Sequence, residues 1–162
     1  MNDSDLKPLA EIIKSVRYPV LATVSSEGVP WNTPFERVYD DNLNLYLVSD
    51  KNNQHSQNIR ATGKGFIVIY NSAVEQGGEK GVYIQVEVSE MTDPKEVVVV
   101  RRLKKPEYDG QGEEFLGEAR RRYYKAVPQR IWMNDAEYDN GVFVRDFRIE
   151  VPIDALKSLL NQ

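Results

Sequence analysis

Val20-Leu21-Ala22-Thr23-Val24-Ser25, then Ser26-Glu27-Gly28, then Pro30 to Tyr39 opened by Trp31-Asn32-Thr33-Pro34, then Asp40-Asp41-Asn42 and Leu43 to Ser49: this run reads as strand, turn, strand, turn, strand. Leu43, Leu45 and Leu47 recur at every second position, the period of a strand with one buried face. The turns are short and polar, of the kind that close hairpins, so the three strands form an antiparallel meander.

On the N-terminal side the period changes. Leu6, Leu9, Ile12, Ile13 and Val16 fall at helical spacing, which predicts an amphipathic helix over 6–16 with Asp3 or Ser4 as cap and Pro8 in its first turn. On the C-terminal side, Asp50 to Ala61 is a polar loop with a turn or two of helix over Ser56 to Ala61. Gly65 to Asn71 reads as a strand, Glu75 to Lys80 as a Gly-rich acidic turn, and Val82 to Met91 as a long alternating strand. Asp93-Pro94 opens a helix that stops at Pro106, and a second helix is expected over 113–125, ended by Pro128. Gln129 to Met133 and Val142 to Val151 read as the last strands, joined by a turn over Asn134 to Gly141, and Asp154 to Leu160 as a final turn of helix. About seven antiparallel strands with helices inserted before the last pair predict a mainly β fold, a closed or split antiparallel β-barrel with peripheral helices. With no repeat, low-complexity tract or linker, residues 1–162 read as one domain.

Composition narrows the function classes. The 162 residues carry 21 Lys plus Arg against 25 Asp plus Glu, a formal charge of −4, which disfavours a broad nucleic-acid face. Arg120-Arg121-Arg122 beside Tyr123 and Tyr124 reads as a helix C-terminus balanced by Glu113, Glu114 and Glu118. There is no cysteine and one histidine, which excludes disulfides, thiolate chemistry and a multi-histidine metal site within one subunit, so no metal is expected. A polar, acidic N-terminus and the lack of an apolar stretch of about 20 residues make no membrane contact and a cytoplasmic location the expectation. Asp50, Asp135 and Asp139 form no acid–base constellation, no Gly-x-Ser-x-Gly elbow exists, and no catalytic side chain is assigned.

Gly28-Val29-Pro30 through Ser49, Asn53-Gln54-His55 followed by Asn58-Ile59, the strand Gly81 to Thr92, and Pro128 to Met133 with Trp132 resemble, in order and spacing, the pyridoxamine 5′-phosphate oxidase-like, FMN-binding split-barrel superfamily. The resemblance spans roughly residues 8 to 154. It implies a split barrel, a homodimer with the cofactor FMN at the subunit interface, and FMN-dependent oxidoreductase activity. Carried over by position, Thr33, Pro34, Phe35 and Glu36 lie under the flavin ring, and Val48 and Ser49 border the ribityl chain or ring. Asn53, Gln54 and His55 hold the phosphate, Lys80 and Gly81 approach the flavin, and Trp132 of the second subunit covers it. The oxidase itself has an arginine in place of Thr33 and Ser-Arg-Lys in place of Asn53-Gln54-His55, and its C-terminal Arg and His pattern is not found around Asn134 to Arg148. The smaller, divergent flavoproteins of the superfamily are therefore the nearer match. The alternative is a non-catalytic module binding flavin, deazaflavin or heme, with His55 as an axial ligand in the last case.

The residues have their own chemistry beside the resemblance. A phosphate dianion next to His55 raises its pKa from about 6.5. Asn53, Gln54 and Asn58 offer neutral donors, and a helix beginning near Gln54 points N–H groups at an anion. Pro34 lacks a donor, so it belongs at an edge or break of its strand, where free main-chain groups can meet a ligand. Trp31, Phe35 and Trp132 suit either core and interface packing or stacking on a ring.

Overall fold

The computed structural model describes residues 3–74 and 80–161. The chain order is α1 (Asp3–Ser15), β1 (Val20–Val24), β2 (Pro30–Pro34), β3 (Leu45–Asp50), α2 (Gln54–Thr62), β4 (Lys64–Tyr70), β5 (Gly81–Glu90), α3 (Pro94–Lys104), β6 (Arg121–Asp139), β7 (Val142–Val151) and α4 (Ile153–Leu160). The strands make one antiparallel sheet in the order β2-β1-β4-β5-β6-β3, and β7 pairs with β6 outside that path. Period-2 burial sends Leu21, Ile67, Ile69, Val82, Ile84 and Ile131 inward, all at 0% exposure. Leu6, Leu9 and Ile13 of α1 and Leu156, Leu159 and Leu160 of α4 cap the same core. Burying each such side chain contributes about 1.5–3 kcal/mol. The sheet does not close. Its end strands β2 and β3 are joined by main-chain bonds along the intervening segment, such as Tyr46 N to Val38 O at 2.9 Å, which makes a split barrel. Among the described residues no helix is long and apolar enough to cross a membrane.

The first three strands are not a meander: β1 pairs with β2, but β3 pairs with β6, and only the isolated Tyr39–Leu45 bridge links it to the segment after β2. β1, β3, β4, β5, α3 and both terminal helices form within a few residues of their expected positions. The expected helix over 113–125 does not. Only Glu113–Phe115 makes a turn of 3-10 helix, and Arg121 already begins a strand of 19 residues. Its two halves have different partners: Leu45 to Asp50 run against Ala126 to Arg121, while β7 covers Ile131 to Asp139. Tyr124 and Ala126 enter the main core, and Tyr123 enters a second cluster with Tyr46, Met91, Val97 and Phe115. Burial on both faces between β3 and β5 overrides the helical charge pattern.

Pro128 accordingly does not end a helix. It sits inside β6 where Val86 faces Pro128 and Gln85 faces Arg130, a bulge that leaves Gln129 unpaired and tolerates the missing donor. The turn expected over Asn134 to Gly141 shrinks to Asn140-Gly141, with φ of 49° and 80°, the left-handed pair that two-residue hairpins favour. The strand expected over Pro30 to Tyr39 stops at Pro34, and Tyr39 keeps one isolated bridge to Leu45. Asp3 and Ser4 lie within α1 and do not precede it, so Pro8 is inside the helix and not in its first turn. Of the expected Glu75 to Lys80 turn, residues 75–79 lie outside the described residues.

Candidate functional site

A cavity of about 550 Å³ opens between the β2–β3 segment, the start of α2, the end of α3 and the start of β6. That volume is in the range that takes a cofactor-sized ligand. Thr33, Pro34, Phe35 and Glu36 form one side, and Val48, Ser49, Asn53 and His55 another. Tyr46 and Tyr123 lie at its base, and Arg101, Lys104, Lys105 and Arg121 close the third side.

The polar side is built locally. Asp50 accepts from Asn52 N at 2.9 Å and its carbonyl from Asn53 N at 3.1 Å, a tight turn that feeds the chain into α2. Asn53 is the N-cap residue but makes no side-chain cap bond; its amide donates to Ser49 Oγ at 2.9 Å. The first-turn N–H groups of α2 therefore lack a side-chain cap from Asn53, and the helix start carries positive potential. His55 is only 7% exposed and places Nε2 2.8 Å from Ser49 Oγ. Burial pushes its pKa below the usual 6.5, so the ring is neutral at pH 7. Without a bound anion this is the opposite of the upward shift expected beside a phosphate. His55 also sits in the first turn of a helix and not in a loop.

Gln54 and Asn58 turn away from the cavity. Gln54 donates to Asn58 Oδ1 at 2.9 Å, and Asn58 donates to Thr23 Oγ1 at 3.1 Å; the second bond is buried and fastens α2 to β1. Asn58, 2% exposed, is a structural residue and no phosphate donor.

The cationic side depends on α3. Asp93 accepts from Lys95 N at 2.8 Å and Pro94 follows it, which fixes the helix start. Val97 and Val100 pack into the second cluster, which brings the last turn over the cavity. Arg101 lies 5.7 Å from the ring centres of both Tyr108 and Phe115 and donates to Tyr123 OH at 3.3 Å, while its buried Nε has no hydrogen-bond partner. Glu36 pairs with Lys104 and, at 3.6 Å, with Arg17; first the Lys104 bond and then both charges hold its carboxyl below the usual range. Among the described residues Arg101, Lys105 and Arg121 form no ion pair. Four fixed cations thus face one carboxylate in a chain whose formal charge is −4.

Of the residues proposed from sequence, Thr33, Pro34, Phe35, Glu36, Val48, Ser49, Asn53 and His55 meet at this cavity. Lys80, Gly81 and Trp132 lie elsewhere in the protomer. Lys80 pairs with Asp135 at 3.1 Å, Gly81 N donates to Asn134 Oδ1 at 2.6 Å, and Trp132 stacks on Phe66 with centroids 6.1 Å apart. The pairing registers nevertheless put Pro34, Val20, Val68, Tyr83 and Trp132 in one row across the outer face of the sheet. Sequence reading missed the cationic side. Its signal was present in Arg101-Arg102-Leu103-Lys104-Lys105, which reads equally well as the basic end of a helix.

No family model and no curated relative matches the chain. Solved structures do. A Clostridium acetobutylicum protein related to general stress protein 26, of the pyridoxinephosphate oxidase family, superposes with TM-score 0.63 at 10% identity over 96% of this chain and 99% of that one. The fold is the split barrel that this protein shares with a putative pyridoxamine 5′-phosphate oxidase from Listeria innocua, TM-score 0.58 at 18% identity over 78% of this chain and 94% of that one. Split barrels of other chemistry are equally similar. A heme binding protein from Mycobacterium smegmatis has TM-score 0.68 at 15% identity, covering 98% of this chain, which spans 62% of that protein's length. The heme storage protein HutZ from Vibrio cholerae has TM-score 0.63 at 16% identity over 77% of this chain and 91% of that one. At these identities the likeness is one of fold.

Proposed function

We propose that the cavity binds FMN and that the protein is an FMN-dependent oxidoreductase working as a homodimer. The observation that carries this reading is the joining, in one cavity, of a bare helix start, a Ser49–Asn53–His55 cluster and cations without counter-ions, beside a strand that breaks at Pro34. These groups fit the two ends of a flavin mononucleotide. Asn53, His55 and the start of α2 would hold the phosphate, and Arg101, Lys105 and Arg121 supply the positive charge that the 53–55 segment lacks. The segment Thr33 to Glu36, where the regular ladder stops at Pro34 while Phe35 N and Arg37 N still bond back to Pro19 O and Arg17 O, would lie along the polar edge of the ring. When bound, FMN supplies hydride and electron transfer; the chain binds, orients and excludes water.

The homodimer rests on the outer sheet face. Val20, Val68, Tyr83 and Trp132, with Phe66 stacked on Trp132, are only partly buried there, and the row of the first four begins at Pro34, a cavity residue. A second copy covering this face would bring its Trp132 to the cavity mouth and bury the apolar patch. A titration of the protein with FMN beside riboflavin tests the reading. Micromolar or tighter FMN binding, at least about tenfold stronger than riboflavin, is expected from the loss of one charged contact. No binding of either flavin would sink it.

A second reading follows from His55. A neutral, buried imidazole facing a cationic cavity suits a heme with two carboxylates, the ligand class named for two of the similar folds. A Soret band on adding hemin, lost in His55→Ala, would favour it over the flavin.

A further inference from the structure

Among the described residues Glu36 is the only carboxylate lining a cavity otherwise rich in cations, and it is held from both ends. Its backbone is fixed: Phe35 N donates to Pro19 O at 3.0 Å and Arg37 N to Arg17 O at 2.9 Å. Lys104 stands on the last turn of α3, on the opposite side. The Glu36–Lys104 bridge therefore spans from the strand side to the cationic side, with both side chains a little over one-third exposed. Arg17 touches the other carboxylate oxygen from outside the cavity.

We propose that Glu36 is a built-in competitor for Lys104 that an incoming anion must displace. With the cavity empty, the carboxylate neutralises the cation best placed to reach a ligand from the end of α3. When a phosphate or carboxylate enters, Lys104 leaves Glu36 for it. Glu36 keeps Arg17, so no carboxylate is stranded. The exchange costs little, since an ion pair whose side chains are both more than one-third exposed is screened by water. Neutral ligands cannot displace Glu36 and gain nothing from Lys104. Glu36 thus sets how strong an anion must be to bind, and the cavity takes anionic ligands over their uncharged analogues. This rests on reading the cavity as an anion site.

The test uses the full chain and three probes: FMN and riboflavin by fluorescence titration, and inorganic pyrophosphate by thermal shift. Glu36→Gln is expected to bind FMN and pyrophosphate about two- to fivefold tighter, the size of one exposed ion pair, and to gain the same factor for FMN over riboflavin. The gain should vanish when Lys104→Met is combined with it. Arg17→Met, which leaves Lys104 as Glu36's remaining partner, should shift FMN and pyrophosphate the opposite way, so the proposal stays testable if Glu36→Gln folds poorly. Equal or weaker anion binding by Glu36→Gln, or a gain that survives Lys104→Met, overturns it. Pyrophosphate behaving as expected while FMN does not bind would remove the flavin reading and leave the Glu36 exchange standing. Binding of neither probe to any variant would overturn both.

Discussion

The two sides of the cavity reach the same space by different routes. The polar side comes from one continuous run, Val48 to His55, in which a strand end, a turn and a helix start follow each other. The cationic side is assembled from the end of α3 and the start of β6, with a loop and a turn of 3-10 helix between them, and faces the strand from residues about 70 positions earlier. The first is neutral and hydrogen-bonded within itself; the second is charged, and among the described residues only its Lys104 has a carboxylate partner. The phosphate-binding charge that the 53–55 segment lacks is present, but on the distant side. A ligand anion should therefore depend more on the part of the site that no local motif announces.

Removing the cationic side is the strongest way to break this contrast. Arg101→Met with Arg121→Met takes away two guanidinium groups that have no carboxylate partner among the described residues. Hydrogen bonds to charged groups contribute about 1.5–3 kcal/mol each, so FMN affinity should fall at least about 100-fold. Riboflavin binding, measured in the same titration, should change far less. An unchanged FMN dissociation constant would place the phosphate wholly on the polar side.

His55→Ala probes the other side. Loss of its contact to the phosphate should cost about 1–3 kcal/mol of FMN binding. If it costs as much as the double arginine change, the two sides share the anion equally and the contrast fails.

Why one side was legible and the other was not follows from the same geometry. β1 and β2 pair across a short turn and β3 runs directly into the turn that starts α2, so the alternation of Leu43, Leu45 and Leu47 and the turns beside them carry the information, although β3 itself pairs with the distant β6. His55 and Asn53 ride on that run and were found with it. Gln54 was not separable from them, because only its bond to Asn58 shows that it points away. Arg121 was hidden for a different reason. Glu113 and Glu114 early and Arg120 to Arg122 late make a good helix by charge pattern. What makes the segment a strand is pairing with β3 and β5, which begin some 75 and 40 residues earlier. Arg101, Lys104 and Lys105 were read on the right helix; which cavity they face is set by how Val97 and Val100 pack, and no spacing in α3 reports that.

The histidine also separates the two sides by pH. Burial lowers its folded pKa below about 6.5, so between those values the unfolded chain binds a proton that the folded chain does not. Stability is then fully present above about pH 6.5 and falls as pH drops through that value, with a slope of at most about 1.4 kcal/mol per pH unit from this one group. The carboxylates Glu36, Asp50, Asp135 and Glu150 have lowered pKa values and act only in a window below about 4.5, apart from the histidine's. Urea denaturation of wild type and His55→Asn from pH 7.5 to 5.5 should show the slope in wild type alone. A slope that persists in the variant would assign it to other groups.

Lys80 offers the smallest effect and the sharpest control. It is a cation proposed from sequence for the ligand site, yet in the protomer it pairs with Asp135 at the far end of β6, with both side chains more than one-third exposed. An exposed pair of this kind contributes about 0.2–1 kcal/mol, so Lys80→Met should barely move the melting temperature. If only the cations of α3 and β6 face the ligand, FMN binding should change less than about twofold, the lower part of that range. Lys80 does stand beside the sheet face that a second copy is proposed to cover, next to Gly81, which faces Asn134 two residues beyond Trp132. A tenfold loss of FMN affinity in Lys80→Met, with the melting temperature unchanged, would mean that the lysine reaches the cavity across a subunit boundary. The cationic side would then be built from two chains, and the division into a local and a distant side would extend to the second copy.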